Sequence, residues 1–325
     1  MPEKSLLIGD IGGTNARFAL ADPARPAYSS VVTLQCDDFE SADVAIEHYL
    51  QSVKAGPPDV ICLAAAGPIV DRRVRFTNNH WEIAADGLAG EFSIDQVRLL
   101  NDFEAIAYSI PFLTRKDCIV IGLPQPQPLD ADTYMVGILG PGTGLGAVGL
   151  RRHGDLYLPI AGEASHCGFA PETQVQIDIL SALHEQFDRV SSERLVSGPG
   201  LENIYWALTR IHGEKRAHLA PAEIFEAAIA NTDPLAAEAV QMFFEVLGQV
   251  AGDLALTLGA EDGIFIAGGI AKRYPEMLIN SRFRAGFEHK GRHRSLMERI
   301  PTQLIMHDQP GLLGAAYCAL QMSEV

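Results

Sequence analysis

Positive charge is in short supply in this chain. Lys and Arg total 25 against 41 Asp and Glu, a formal charge of −16 over 325 residues. Nucleic-acid binders need clustered positive charge on one face, so this balance argues against a DNA- or RNA-reading surface. It leaves ATP open as a ligand, because backbone N–H groups hold phosphate even in an acidic protein. Cysteine is sparse and scattered (Cys36, Cys62, Cys118, Cys167, Cys318), with no C-x-x-C spacing. That pattern fits a reducing cytoplasm and no structural zinc. Cys167 adjoins His166, but neighbouring side chains rarely converge on one ion. No continuous apolar run reaches the roughly 18–20 residues of a membrane span. Met1-Pro2-Glu3-Lys4-Ser5 leads straight into a strand pattern at Leu6, so no secretory leader is expected. A G-x-x-x-x-G-K-[ST] motif is also missing, which excludes a P-loop nucleotide site.

What the chain does have is glycine at three turns, each beside a strand pattern: Gly9-Asp10-Ile11-Gly12-Gly13-Thr14-Asn15, Gly140-Pro141-Gly142-Thr143-Gly144-Leu145-Gly146 and Ala267-Gly268-Gly269-Ile270. Glycine lets main-chain N–H groups approach an anion, so such turns are natural phosphate cradles. Three of them imply a nucleotide held in a cleft between two halves. Gly142 to Ala147 formally fits the dinucleotide pattern G-x-G-x-x-A. That pattern must open a helix, however, and here Ala147-Val148-Gly149-Leu150 continues as strand.

The remaining periodicity is α/β. Leu6 to Gly9 and Ala16 to Ala21 flank the first turn, a helix is expected over Ala42 to Val53, and Val60 to Ala66 reads as a buried strand. Val97 to Leu100 is a short strand that ends at Asn101-Asp102, before helical Phe103 to Ser109. Pro124, Pro126 and Pro128 mark an extended loop. Met135 to Leu139 opens a second strand–turn–strand unit. Val240, Phe243, Phe244, Leu247, Ala251, Leu254 and Leu258 lie at helical spacing. Gly248 and Gly252 weaken that helix unless a neighbour packs closely there. Gly263 to Ala267 and Gln303 to Met306 are strands. A Pro310-Gly311 break then precedes a final helix, Leu312 to Leu320. The two strand–turn–strand units occupy equivalent places, which implies a duplicated α/β core.

Several polar residues carry two readings. Asp10 is either a turn residue or a carboxylate for metal-bound phosphate. Asp102 is either a helix N-cap or a base at a strand's carboxyl end, with Asn101 holding a hydroxyl beside it. Gly162-Glu163-Ala164-Ser165-His166 and Ser191-Ser192-Glu193-Arg194 read as solvated loops or as a hydroxyl-binding set. The basic run Glu288 to Arg294 reads as a solvated loop or an interface.

Taken together, GDIGGTNAR (Gly9 to Arg17), LNDF (Leu100 to Phe103), GPGTGLG (Gly140 to Gly146), Glu163 with His166, ERLVSGPG (Glu193 to Gly200), GIFIAGGI (Gly263 to Ile270), FRAGFEHKGR (Phe283 to Arg292) and HDQPGLLG (His307 to Gly314) resemble the bacterial glucokinases nearly end to end. The resemblance implies a duplicated actin-like (ribonuclease H-like) ATPase fold: a small α/β domain of residues 1–112 plus 302–325, and a large α/β domain of residues 113–301. It implies Mg-ATP-dependent phosphorylation of D-glucose at its 6-hydroxyl, the first step of glycolysis, by a cytoplasmic homodimer. Asp102 then matches the general base, and Asn101, Glu163, His166 and Glu193 match sugar ligands. Gly9, Asp10, Ile11, Gly12, Gly13 and Thr14 match one ATP phosphate loop, Gly142 and Thr143 a second, and Gly268 and Gly269 the adenosine-side turn. Asp10 is expected to position Mg²⁺ through water. Ala164-Ser165 stands where glycine-like residues are expected. Cys167 alone after His166 sets the chain apart from a zinc-binding branch.

Water competes with the sugar hydroxyl for phosphoryl transfer, so sugar-driven domain closure is expected to keep ATP hydrolysis slow without glucose. The alternatives are a kinase for mannose or N-acetylglucosamine, a sugar-sensing repressor, and an ATP-hydrolysing filament protein. The repressor reading is disfavoured because no DNA-binding helix pair fits ahead of Leu6. The filament reading gives Glu163 and Glu193 no purpose.

Overall fold

The structure is a computed structural model and describes residues 4–76 and 79–323. Met1, Pro2 and Glu3, part of the lead-in assigned above, lie outside the described residues, as do the last two residues of the small domain expected from the sequence. In chain order the elements are β1 (Leu6–Ile11), β2 (Asn15–Ala21), β3 (Tyr28–Gln35), α1 (Ala42–Ser52), β4 (Val60–Ala65), β5 (Arg73–Arg75), β6 (Glu82–Ala84), α2 (Ala85–Phe92), β7 (Gln96–Asn101) and α3 (Asp102–Ser109). They continue with β8 (Cys118–Ile121), β9 (Thr133–Pro141), β10 (Leu145–His153), β11 (Leu156–Ala161), α4 (Gln174–Leu183), α5 (Gly198–Ile211), α6 (Pro221–Ile229) and α7 (Pro234–Leu258). Last come β12 (Gly263–Ile266), α8 (Gly269–Arg273), α9 (Pro275–Ile279), α10 (Phe283–Glu288), α11 (Arg294–Met297), β13 (Thr302–Ile305) and α12 (Pro310–Ser323).

The chain divides into two compact units, one of residues 1–114 and 307–325, the other of residues 115–306. The first holds a five-stranded sheet of order β3-β2-β1-β4-β7. In it β1, β4 and β7 are parallel, and β2 and β3 run antiparallel on the β1 side. The second holds a six-stranded sheet of order β11-β10-β9-β12-β13-β8. There β9, β12 and β13 are parallel, β10 and β11 extend antiparallel from β9, and β8 adds an antiparallel edge. The shared pattern, three antiparallel strands and then two parallel ones, is the duplication that the two glycine turns announce. Both turns link the first two strands of their repeat.

Helices cover both faces of the first sheet, which is why β4, Val-Ile-Cys-Leu-Ala-Ala, is buried at every residue. Leu7, Ile61, Leu63 and Leu99 join Ala45, Ile46 and Leu88 from α1 and α2 in one core. On the other side α12 packs on β1, β4 and α3. This last helix starts at Pro310, so the expected Pro310-Gly311 break is in fact its first turn. Proline has no N–H to lose there and is already set to helical φ. Gly314 is the contact point: a Cβ on it would overlap the Ala105 carbonyl of α3.

The second unit is built around α7. Asp233 caps its start by accepting from the Leu235 and Ala236 N–H groups, Pro234 follows, and Gly259 ends it in the left-handed region at φ 65°. At 25 residues it is long and apolar enough to cross a membrane, yet 72% of its most apolar window is buried inside the protein. That is the signature of a core helix. Gly248 and Gly252 are there for close approach: Cβ atoms on them would overlap or crowd the Phe283 and Phe287 carbonyls of α10.

Two expectations change. The strand at 302–305, assigned to the small domain, belongs to the second sheet, where β13 lies between β12 and β8. The basic run is not simply a solvated loop. Glu288 ends α10, and the Lys290 side chain is 5% exposed, paired with Asp253 at 2.9 Å and Glu172 at 3.3 Å. The carboxylates supply the partners that a buried ammonium needs.

Replacing Gly314 by Ala should cost about 3–5 kcal/mol, because a backbone carbonyl cannot move aside cheaply. Gly90→Ala, at a helical site where an added Cβ meets nothing within 4 Å, should instead stabilise by about 0.5–1 kcal/mol. Urea midpoints of the two variants would check both signs.

Candidate active site

In the first unit, β1 and β7 deliver two carboxylates to the same end of the sheet. The register aligns Asp10 with Ala64 of β4, and Ala64 with Leu100 of β7. Asp102 follows Leu100 by two residues. The parallel strands therefore bring Asp10 and Asp102 to one edge, close enough for Asp102 to feel the Asp10 charge. Asp102 is pushed up to about 6. Desolvation is the main cause, with the Asp10 charge adding to it and the Phe103 N–H opposing it. Asp10 is also raised by desolvation, and only the Arg17 charge works against that.

The cap of α3 is Asn101, not Asp102. Its Oδ1 accepts the Phe103 N–H at 2.9 Å, and its Nδ2 donates to the Gly67 carbonyl at 3.1 Å. The amide nitrogen keeps a second hydrogen for a ligand. Asp102 is the first helical residue, so its carboxylate is not consumed as a cap, though Oδ1 also accepts the Phe103 N–H at 2.9 Å.

The first glycine turn, Gly12-Gly13-Thr14, joins β1 to β2. Gly12 N–H donates to Asn15 O and Cys36 N–H to Thr14 O, both at 2.9 Å. Asn79 Nδ2 reaches the Gly12 carbonyl at 3.5 Å, and Gln35 Nε2 donates to Asn15 Oδ1 at 2.7 Å. Gln35, Cys36 and Asn79 are supports that no motif in the sequence marks, since they matter only through contacts 20 to 70 residues away. Gly9 and Ile11 lie within β1, and Gly9 serves packing. A Cβ there would come within 2.7 Å of Leu63 and 3.1 Å of Phe18. The turn itself is left to Gly12, Gly13 and Thr14. Gly311 of α12 lies against Asp10, with its would-be Cβ 3.3 Å from the carboxyl carbon.

In the second unit, Ala164–His166 and Ser192–Arg194 form single helical turns. They are held side by side by a Gly168–Ser191 bridge, by Ser192 N–H to Cys167 O at 2.9 Å and by Phe169 N–H to Val190 O at 3.0 Å. This brings Glu163, His166 and Glu193 together in one region. Glu163 and His166 are exposed and stand 3.9 Å apart. Ser165 is buried at 3% exposure, which explains a non-glycine residue there: its side chain points into the protein. Glu193 reaches into the second glycine turn, where Oε2 accepts the Leu145 N–H at 3.0 Å. That turn leads into β10 as strand, so the rejected dinucleotide match stays rejected. Gly268, at φ 87°, caps α8, and any side chain on it would overlap the Pro141 carbonyl. The second and third turns are thus in contact, with Ala267 N–H bonded to Leu139 O at 2.8 Å.

Within the first unit, two desolvated carboxylates beside a glycine turn are groups that phosphoryl transfer uses. A family model described as Glucokinase matches residues 7–322. The chain belongs to the glucokinase family. A glucokinase of Caulobacter sp. (strain K31) is 44% identical over 95% of this chain and 93% of its own length. One of Nitrobacter hamburgensis is 40% identical over 97% of both. The crystal structure of a glucokinase from an Antarctic psychrotroph superposes with a TM-score of 0.89 at 34% identity, covering 98% of this chain and 99% of that one. The fold is the duplicated actin-like ATPase fold, and the chain is a kinase.

The raised Asp102 pKa fixes the sign of a stability effect. Its folded value, about 6, lies above the ordinary 3.8. The stabilising contribution of the neutral acid is therefore complete below the unfolded pKa and is lost as pH rises through 6. Asp102→Asn should melt higher than the parent at pH 8, by the equivalent of about 1–3 kcal/mol. The gap should close toward pH 4. Melting curves across that range would check it.

Proposed function

We propose that this glucokinase-family protein transfers the γ-phosphoryl group of ATP to the 6-hydroxyl of D-glucose, with Asp102 as general base. The observation that carries the assignment is the Asp102 carboxyl, pushed up to about 6 by burial and by Asp10. A base works best when its pKa lies near the working pH. A carboxylate at 3.8 would be a weaker base, and one near 6 is still mostly ionised at pH 7. Asp102 takes the hydroxyl proton as the oxygen approaches phosphorus. Asn101, through its spare amide hydrogen, and Glu163, His166 and Glu193 fix the hydroxyls of the ring, so that one hydroxyl is presented to the phosphate.

The backbone N–H groups around Gly12, Gly13 and Thr14, with those at Gly142 and Thr143, receive phosphate oxygens. Gly268 and Gly269 border the adenosine. Asp10 is the proposed holder of Mg²⁺, through water. The donor set fits that ion: Asp10 has Asp102 near it at the end of the sheet beside the glycine turn, and Mg²⁺ usually keeps its waters and takes one or two carboxylates plus phosphates. When bound it supplies charge neutralisation on the phosphates. Family membership supports a homodimer as the working assembly. The five unpaired cysteines suit the cytoplasm as its setting.

The central experiment is ADP release with and without glucose, beside mannose and N-acetylglucosamine. Glucose should give the largest increase, and equal rates with all three sugars would overturn the assignment to glucose. Asp102→Ala should retain ATP binding and lose about 10²–10⁴-fold in turnover. In the parent enzyme kcat/KM should fall tenfold per pH unit below about 6, the Asp102 value. An acid limb near 4 would remove Asp102 from the role. Asp10→Ala should weaken the magnesium-dependent rate, and an unchanged rate and magnesium requirement would count against its assignment.

A further inference from the structure

Glu193 has more to do in this fold than face a sugar. Its Oε2 accepts the Leu145 N–H at 3.0 Å, at the residue that closes the second glycine turn. The same oxygen occupies the space beside Gly144, where a Cβ would come within 2.6 Å of it. The carboxylate fills the place of the side chain that Gly144 lacks. The main chain is tied as well. Ser197 Oγ donates to the Glu193 carbonyl at 2.8 Å and accepts the Gly200 N–H at 3.0 Å. Gly198 N–H then donates to the Gly142 carbonyl at 2.8 Å. The segment from Glu193 to Gly200 therefore grips the glycine turn at both Gly142 and Leu145. Among the described residues no such side-chain link to the turn is seen for Glu163 or His166: both are exposed, and their side chains stand 3.9 Å from each other.

We infer that Glu193 is a positioning residue for the nucleotide loop, and that it couples sugar occupancy to nucleotide affinity. The inference rests on Glu193 as a sugar ligand and on Gly142 and Thr143 as phosphate donors. A carboxylate has two acceptor oxygens. One is held by the turn, and the other is available to hydroxyl donors. A hydroxyl bound there fixes the side-chain torsions of Glu193, and through Oε2 it fixes the Leu145 N–H and the shape of the turn. Order imposed by the first ligand is then already in place for the second. Linkage requires the effect to be mutual, so that nucleotide tightens sugar by the same factor.

The test is calorimetric binding of ADP and of a non-hydrolysable ATP analogue, each with and without saturating glucose. The proteins are the parent, Glu193→Ala, Glu193→Gln and Gly144→Ala, with melting temperatures taken in parallel. Glu193→Ala should lower nucleotide affinity by about 3–10-fold without glucose, the scale of one lost hydrogen bond. It should also abolish the glucose-induced gain. In Glu193→Gln the amide oxygen still accepts the Leu145 N–H, so nucleotide affinity should stay within about twofold while glucose binding weakens by about tenfold or more. Gly144→Ala displaces Oε2 from the opposite side and should weaken glucose binding by about 3–10-fold, though Gly144 itself has no sugar to touch.

Nucleotide affinity and coupling in Glu193→Ala equal to the parent's would overturn the inference. So would Gly144→Ala binding glucose normally. If Glu193→Ala fails to fold, the other two variants decide. Normal glucose affinity in Glu193→Gln would instead remove Glu193 from the sugar set, and the clamp on the nucleotide loop would then stand or fall on the alanine variant's affinity for ADP alone.

Discussion

Two negative charges taken partly out of water at one edge of a sheet are the constraint on which this structure turns. Asp10 and Asp102 repel each other, and neither gains a counter-ion that cancels its desolvation. Such an arrangement opposes folding and is tolerated where the strain has a use. The parallel strands make it unavoidable: β1 and β7 end on the same side with only β4 between them. The sheet order that gives the unit a buried centre also concentrates charge at its rim. On the function proposed above, a ligand carrying positive charge or a proton arriving from a substrate would relieve the repulsion.

The glycines divide into two kinds that look alike in sequence. Gly9, Gly144 and Gly268 are required because something else already fills the space of a side chain: Leu63 and Phe18, the Glu193 carboxylate, and the Pro141 carbonyl. Gly142 and Gly269 stand in the open, with little or nothing near a would-be Cβ. The first kind holds the turns in shape, and the second leaves the approach to them clear. The same division runs through α7, where the glycines that lower helix propensity are those that admit α10.

Much of this was legible beforehand. The two strand–turn–strand units, the long α7 and the strand that ends at Asn101 follow from periodicity and turn chemistry, which are local. For Glu163, His166 and Glu193 the residues alone leave solvated loops and a hydroxyl-binding set both open, because the Gly168–Ser191 bridge that unites them has no local signal. Three places escape the local sequence for related reasons. The strand at 302–305 went to the wrong unit because edge order is decided by partners, not by its own four residues. The basic run reads as a solvated loop or an interface because the carboxylates that hold Lys290, Glu172 and Asp253, are distant in sequence. The cap of α3 falls on Asn101 because a strand end and a helix start share that residue, and sequence alone does not choose between neighbours that both favour capping.

The first unit is finished by the chain's last helix. Gly311 lies against Asp10, and Gly314 seats α12 on α3, long after the strands it covers, β1 and β4, were made. On a ribosome those strands emerge early and must wait with one apolar face uncovered until residues 307–325 are released. Pairings of such wide sequence separation form slowly. The half-built sheet is meanwhile the vulnerable species, exposed to chaperones, proteases or other unfinished chains. A chain stopped between Asp102 and His307 would carry the sheet but lack α12, so nonsense products across that span share one defect.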